Sequence, residues 1–126
     1  MKPSEVITAL GKHLGGMPDC PKIVRPNRTQ EPLPEKPYLT FQMGRRGYFD
    51  PTLDGSCGNS SGSLMIVVVW EKNAYTSKAD DMAEDIRERF NKATQVGGVT
   101  ISASSVLKGF ATDTDWRVPV SIDWTT

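Results

Sequence analysis

The residues that could do chemistry are few and far apart in the sequence. His13 is the single histidine of the 126-residue chain, and Cys20 and Cys57 are its two cysteines. Nucleophilic catalysis with imidazole needs a histidine near a serine or cysteine, and neither cysteine has the Cys-x-x-Cys spacing of a zinc or thiol-exchange site. We therefore expect no catalytic residue, no cofactor, no metal ligand and two reduced thiols, with His13 serving the end of its helix.

Asp113 and Asp115 are a second pair of residues to consider, because they could bind a hard cation. Calcium takes six or more oxygen ligands, and the spacing of a calcium-binding loop is absent around these two carboxylates. We interpret the pair as part of a polar turn that leads into the last strand.

The segment Gly44-Arg-Arg-Gly-Tyr-Phe49 combines two arginines and two aromatic residues with glycines. Such residues can stack on bases and meet phosphates, and they are also enriched where proteins bind each other. Fifteen basic residues balance fifteen acidic ones, which disfavours nucleic acid as the main partner. We predict a protein interface made by Arg45, Arg46, Tyr48, Phe49 and Leu53, and a small nucleic-acid-binding module that uses residues 44–49 stays as the alternative.

The first half of the chain must position that segment. Apolar residues at helical spacing predict a short amphipathic helix over 4–14, and the prolines that follow predict an extended connector over 20–37. Alternating residues predict a strand over 38–43. The glycines, serines and proline of 44–62 predict a long loop, which we expect to be functional.

The second half of the chain has clearer periodicity. The β-branched run of 63–71 predicts a strand buried on both faces near the middle of the sheet. Residues 77–93 have the N-cap and apolar spacing of an amphipathic helix. Strict alternation predicts strands over 99–105 and 116–125. Pro119 lacks an N–H, which favours an edge position for the last strand, or a missing N–H that faces outward.

These elements predict a single α+β domain over residues 1–126. The economical architecture is a four-stranded, mainly antiparallel sheet with both helices on one face, in the order α-β-β-α-β-β, and with the long loop between strands one and two. The predicted core residues are Val68, Ile86, Phe90, Val118, Val120 and Ile122. The longest apolar run, residues 64–70, is far below the roughly 20 residues that a membrane span needs, and the N-terminus lacks an export signal, so we expect no membrane partner.

The layout of the second half also resembles a known family. Val67-Val-Val-Trp70 is followed by a helix that contains Ile86-Arg-Glu-Arg-Phe90, then by Val99-Thr-Ile101, and finally by Arg117-Val-Pro-Val-Ser-Ile122 near the C-terminus. In this arrangement residues 36–126 resemble the tail terminator proteins of long-tailed bacteriophages, the family typified by the minor tail protein U of phage lambda.

The resemblance implies a structural protein and not an enzyme. Members form a homo-oligomeric ring, typically a hexamer, which caps the tail tube, stops its polymerisation and offers a surface to the head connector. The implied partners are other copies of the chain, the tail tube protein and a head-tail connector or neck protein, with nucleic acid only as DNA that passes through the ring. The implied location is the head-proximal end of the virion tail, reached from the host cytoplasm during assembly. A neck or head-completion ring protein is the close alternative.

Overall fold

Two helices and a curled, mixed sheet make up the structure, a computed structural model that describes residues 3–18, 20–24, 37–49, 59–72 and 77–126. The helices are α1 (Pro3–Gly15) and α2 (Ser77–Arg89). The strands are β1 (Lys22–Val24), β2 (Tyr38–Phe49), β3 (Asn59–Glu71), β4 (Gln95–Val96), β5 (Val99–Val106), β6 (Phe110–Ala111) and β7 (Asp115–Thr125).

The sheet has the order β1-β2-β3-β7-β5-β4. β6 also pairs with β7, on the same side of β7 as β5. β1 runs parallel to β2, and every other pair is antiparallel. The predicted four-stranded sheet with the order α-β-β-α-β-β is therefore wrong, because the sheet has seven strands and curls into a half-barrel. The strands that sequence reasoning missed, β1, β4 and β6, have only two or three residues, too few to show a period of two.

The long loop predicted over 44–62 is also wrong, because both of its ends are strand. β2 continues to Phe49 and β3 begins at Asn59, with pairs from Arg46↔Gly62 to Phe49↔Asn59. A bulge between Met43 and Arg46 shifts the register. Gly44 lies so close to the Ser63 hydroxyl that a Cβ there would collide with it. Gly44 thus packs against a residue of the neighbouring strand and does not belong to a loop.

The core lies between the helices and one face of the sheet. Leu39, Ile66 and Val68 share that face with Val118 and Val120, since residues directly opposite in the ladder point to the same side. The other residues of the cluster include Val6, Leu10, Leu14, Phe41, Leu64, Ala79, Ala83, Ile86, Phe90, Val99, Ile101, Ile122 and Trp124. All six residues named as core from the sequence are fully buried. β3 lies in the interior of the sheet, between β2 and β7, as its apolar run predicts.

Pro119 lies in an interior strand, which corrects the expected edge position. β7 has β3 on one side and β5 and β6 on the other. The Leu107 N–H donates to the Pro119 carbonyl (2.9 Å), so the missing Pro119 N–H faces Leu107 as well. The ladder between β7 and its neighbour loses one hydrogen bond at this point. β5 ends at Val106 and β6 begins at Phe110, so residues 107–109 beside Pro119 are not strand.

The second helix is shorter than its sequence pattern predicts. α2 ends at Arg89, whereas apolar spacing continues to Ala93. Ala93 has a φ of 71°, in the left-handed region, and its N–H donates to the Ile101 carbonyl at 2.8 Å. The backbone therefore leaves the helix to join β5, although Ala93 has the helical spacing.

Candidate functional site

Four of the five candidate interface residues lie together on one strand. Arg45, Arg46, Tyr48 and Phe49 belong to the distal part of β2, which pairs with residues 59–62 of β3. Leu53 lies outside the described residues. β7 lies on the other side of β3 here, since Ser61 and Gly62 also pair with Thr125 and Trp124. The role of the segment in an interface stays a prediction.

A second surface, which sequence reasoning missed, lies at the other side of the sheet. Leu107 and Phe110 are 43% and 48% exposed, and they are the exposed large hydrophobic residues of the described part of the chain. Leu107 directly follows β5, and Phe110 is the first residue of β6. The sequence signal is the segment Leu107-Lys-Gly-Phe110, where two large apolar residues interrupt the alternation that precedes them.

Gly109 allows that segment to pass over the indole of Trp116. A Cβ at position 109 would lie 2.6 Å from the Trp116 Cζ2 atom. Trp116 is half-buried, and its Nε1 has no hydrogen-bond partner among the described residues. The Trp116 ring therefore packs directly against the backbone of Gly109 and holds residues 107–110 in place.

The C-terminal ends of the two helices are tied by a reciprocal pair of hydrogen bonds. The His13 Nε2 atom lies 2.7 Å from the Arg89 carbonyl, to which it donates, and the Arg89 Nε donates to the His13 carbonyl at 3.1 Å. His13 also packs edge-on against Phe90, with ring centroids 5.0 Å apart. Each side chain satisfies a carbonyl at the end of the other helix, so His13 serves the end of α2, and Arg89 serves the end of α1.

An open cleft of about 760 Å³ lies beside this pair. It runs between α1, the end of α2 and the turn before β5, and its lining includes Glu5, Lys12, His13, Arg89 and Gly97. Its charged groups carry both signs, so the cleft presents no single electrostatic preference. We assign no ligand to it.

Asp113 and Asp115 lie in a tight turn, as the sequence predicts. The Thr112 N–H donates to the Asp115 carbonyl at 2.8 Å, and the Asp115 N–H donates to the Thr112 hydroxyl at 3.0 Å. The Asp115 carboxylate is buried and forms an ion pair with Arg117 (3.1 Å). In the part of the chain that the structure describes, no three His, Cys, Asp or Glu side chains come together as a metal site requires.

Cys20 is half-buried, and its Sγ donates to the Pro21 carbonyl at 3.3 Å. Burial raises the pKa of the Cys20 thiol, which disfavours the reactive thiolate. Cys57 lies outside the described residues. None of the described helices combines the length and the apolar character needed to cross a membrane.

Sequence comparison identifies the family. The family model of phage tail terminator proteins matches residues 5–124, nearly the whole chain. The chain belongs to this family. The resemblance drawn from the layout of residues 36–126 is therefore confirmed, and the match extends it through α1. As a member of the tail terminator family, the protein is a bacteriophage structural protein with a role in tail assembly or termination, placed in the virion tail.

Structural comparison shows that the fold recurs. One solved structure with 19% sequence identity superposes with a TM-score of 0.73, and the match covers 99% of this tail terminator chain and 95% of that one. At this identity the likeness concerns the fold alone. No curated protein matches the chain.

Proposed function

We propose that the protein closes into a hexameric ring on the end of the tail tube, stops tube polymerisation there and offers its free face to the head connector. The observation that carries this proposal is the match of residues 5–124 to the tail terminator family. A terminator must bind the last ring of the tube on one side and must not offer a second tube-binding surface on the other. The proposed role is structural, with no catalytic step.

Two features of the fold support a role in assembly. The β2–β3 hairpin extends the sheet as far as Phe49 and Asn59 and carries Arg45, Arg46 and Tyr48 on the β2 side. Exposed Leu107 and Phe110 lie on the opposite side of the sheet. Two different surfaces on one subunit are what a closed ring with a tube on one face uses.

The direct test is the growth of tail tubes from purified tube protein of the same phage, followed by electron microscopy. Adding the protein during growth should shorten the tubes, and gold-labelled protein should lie at one end only. Tubes that grow to the same length with and without the protein would contradict the proposal. Binding to the head connector without binding to tubes would favour the neck or head-completion alternative.

The role of the hairpin is tested by changing Arg45, Arg46, Tyr48 and Phe49 together to serine. We expect loss of assembly with the fold retained, as judged by circular dichroism and thermal unfolding. A matched variant replaces exposed charges of α2, Lys78→Ser with Asp80→Ser, and should assemble normally. Normal assembly of the fourfold variant would remove the hairpin from the interface.

A further inference from the structure

The outer edge of β5 is open along most of its length. β4 pairs only with Val99 and Thr100, and the ladder extends by one step where Ile101 bonds Ala93 and Thr94. No described strand lies beyond residues 102–106. The Leu107 N–H donates to β7, and backbone N–H and C=O groups along a strand point alternately to its two sides. The backbone groups of Ser104 and Val106 therefore point away from β7, toward the outer side of β5.

Over residues 102–106, before the exposed Lys108, this edge lacks the features that keep sheets from associating. Natural edge strands are protected by charged side chains, by proline or by a covering element. Residues 102–106 are Ser-Ala-Ser-Ser-Val, without a charge or a proline. Leu107 and Phe110, the exposed large hydrophobic residues of the described part, lie at the end of the same edge. We call residues 102–110 the β5–β6 edge.

At the other side of the sheet, the described residues leave a second edge without a partner strand. β1 pairs with Tyr38, Leu39 and Thr40 of β2, and no described strand pairs with the outer side of β2 over residues 42–49. This stretch is longer than the open part of β5. It contains the arginine and aromatic residues that the sequence singles out as an interface.

Strand directions make the two edges complementary. β2, β3, β7 and β5 are each antiparallel to the next, so β5 runs opposite to β2. A neighbouring copy that continued the sheet with its helices on the same side would place its β2 antiparallel to β5. Gln42 is opposite Met65, Met65 is opposite Ser121, and Ser121 is opposite Ser105 in the ladder. Because residues directly opposite each other share a face, Gln42 and Ser105 would both lie on the face of the sheet that has no helices.

We propose that the β5–β6 edge of one copy pairs antiparallel with residues 42–49 of β2 in the next copy, and that Leu107 and Phe110 pack against that neighbour. This proposal rests on the proposed function, since it assigns the contact that closes the ring. The contact uses two different surfaces and so repeats from copy to copy. Pairing of β5 with β5 would stop at two copies and leave both β2 edges open.

Site-directed crosslinking tests the pairing. Gln42→Cys and Ser105→Cys are made singly and together in the full chain with Cys20→Ser and Cys57→Ser, and a short bis-maleimide is added at a concentration where the protein associates. The double variant should give a ladder of crosslinked subunits, and a mixture of the two single variants should give dimers. Each single variant alone should stay uncrosslinked. Dimers of Ser105→Cys alone would indicate β5–β5 pairing and overturn the proposal.

A charge on the edge gives an independent test. Ala103 is exposed and lies opposite Asp123 in the ladder, so Ala103→Lys places its charge beside a carboxylate and should fold normally. We expect Ala103→Lys, and likewise Leu107→Asp with Phe110→Asp, to weaken self-association by at least about tenfold. Thr8→Lys, which adds the same charge to the exposed face of α1, is the control. Unchanged self-association of both edge variants would overturn the proposal.

The outcomes separate this proposal from the proposed function. Rings that form and stop tube growth without a crosslink between positions 42 and 105 would overturn the edge pairing alone. A protein that stays monomeric at every concentration and does not limit tube length would overturn both.

Discussion

Close packing at single residues decides how the exposed 107–110 segment is held. Gly109 has no room for a methyl group because Trp116 occupies the position that a Cβ would need. Gly15, at the end of α1, has no atom within 4 Å of that position. These two glycines therefore have different reasons to be glycine, although the sequence alone does not distinguish them.

Gly109→Ala should destabilise the fold by about 1–3 kcal/mol, because the indole or the segment must move. Gly15→Ala should leave stability unchanged or raise it slightly, since alanine is the better helix former. Chemical unfolding followed by tryptophan fluorescence measures both. Equal stabilities of the two variants would show that Gly109 does not pack on Trp116.

The half-buried thiol of Cys20 predicts a pH effect. Because burial raises the pKa of this thiol, the folded protein binds the thiol proton more tightly than the unfolded chain does. Its contribution to stability is therefore constant below the unfolded pKa and decreases as the pH rises above it. In a Cys57→Ser variant, alkylation by iodoacetamide at neutral pH should be slower in the folded protein than in urea, and equal rates would contradict the prediction.

At the scale of elements, the ends of the two helices depend on each other. His13 and Arg89 each bond the carbonyl of the other residue, whereas Arg87, two residues earlier, forms an exposed ion pair with Glu84. The hydrogen bond that the Arg87 guanidinium donates to the Glu84 carboxylate raises the pKa of Arg87. Two arginines on one helix thus have different surroundings, and only Arg89 links the helices.

Arg89→Met should lower the free energy of unfolding by about 1–2 kcal/mol, because it leaves the His13 carbonyl without its charged donor. Arg87→Met is the matched control and should change stability little, since exposed ion pairs contribute little. Thermal unfolding at moderate salt measures both. An equal decrease in the free energy of unfolding for the two variants would show that the Arg89 link between the helices contributes nothing to stability.

The apolar face of α2 provides the strongest packing test. Ile86 and Phe90 are fully buried in the cluster between the helix and the sheet. Ile86→Ala or Phe90→Ala should cost about 2–5 kcal/mol by leaving a cavity. Asp81→Ala, on the exposed face, should have little effect in the same urea titration. A cost below about 1 kcal/mol for both core variants would mean that α2 packs differently.

The elements that sequence predicts well are those with a complete periodic signal. The apolar positions of α1 and α2 and the alternation of β7 predict the right faces, because burial of one face requires that spacing. The prediction that β3 is buried on both faces is wrong in part, since Met65 and Val67 on its second face are only half-buried. The sequence does not reveal the distal hairpin because Gly44, Gly47 and Gly62 suggest a loop, whereas cross-strand pairing holds Gly47 and Gly62 in strands and Gly44 lies in the bulge between Met43 and Arg46. Pro119 was placed near an edge because the sequence does not show that the neighbouring strand is interrupted opposite it.

The candidate site was only partly predictable for a related reason. Arginine and aromatic residues drew attention to residues 45–49 by their types. Leu107 and Phe110 have ordinary apolar types, and only the exposure of their side chains marks them. The open sides of β2 and β5 depend on the order of strands, which arises from contacts between residues distant in sequence.

At the scale of the whole molecule, the described residues form a half-barrel in which parts of β5 and β2 have no partner strand on their outer sides, as the proposed pairing of neighbouring copies requires. Its edges lie at opposite ends of the strand order, and its helices cover one face. Membership in the tail terminator family gives this architecture its biological setting. The central claim is that the chain acts as a closed ring at the end of a tail tube.

The measurement that tests this claim most directly is the mass of the purified full chain across a wide concentration range, alone and on short tail tubes, with negative-stain images of the heaviest species. We expect one closed ring of about six subunits at a single end of each tube. A contact between two different surfaces of the subunit gives one cyclic species when the ring closes. Open filaments, dimers that do not grow further, or monomers that leave the tube ends bare would contradict the central claim.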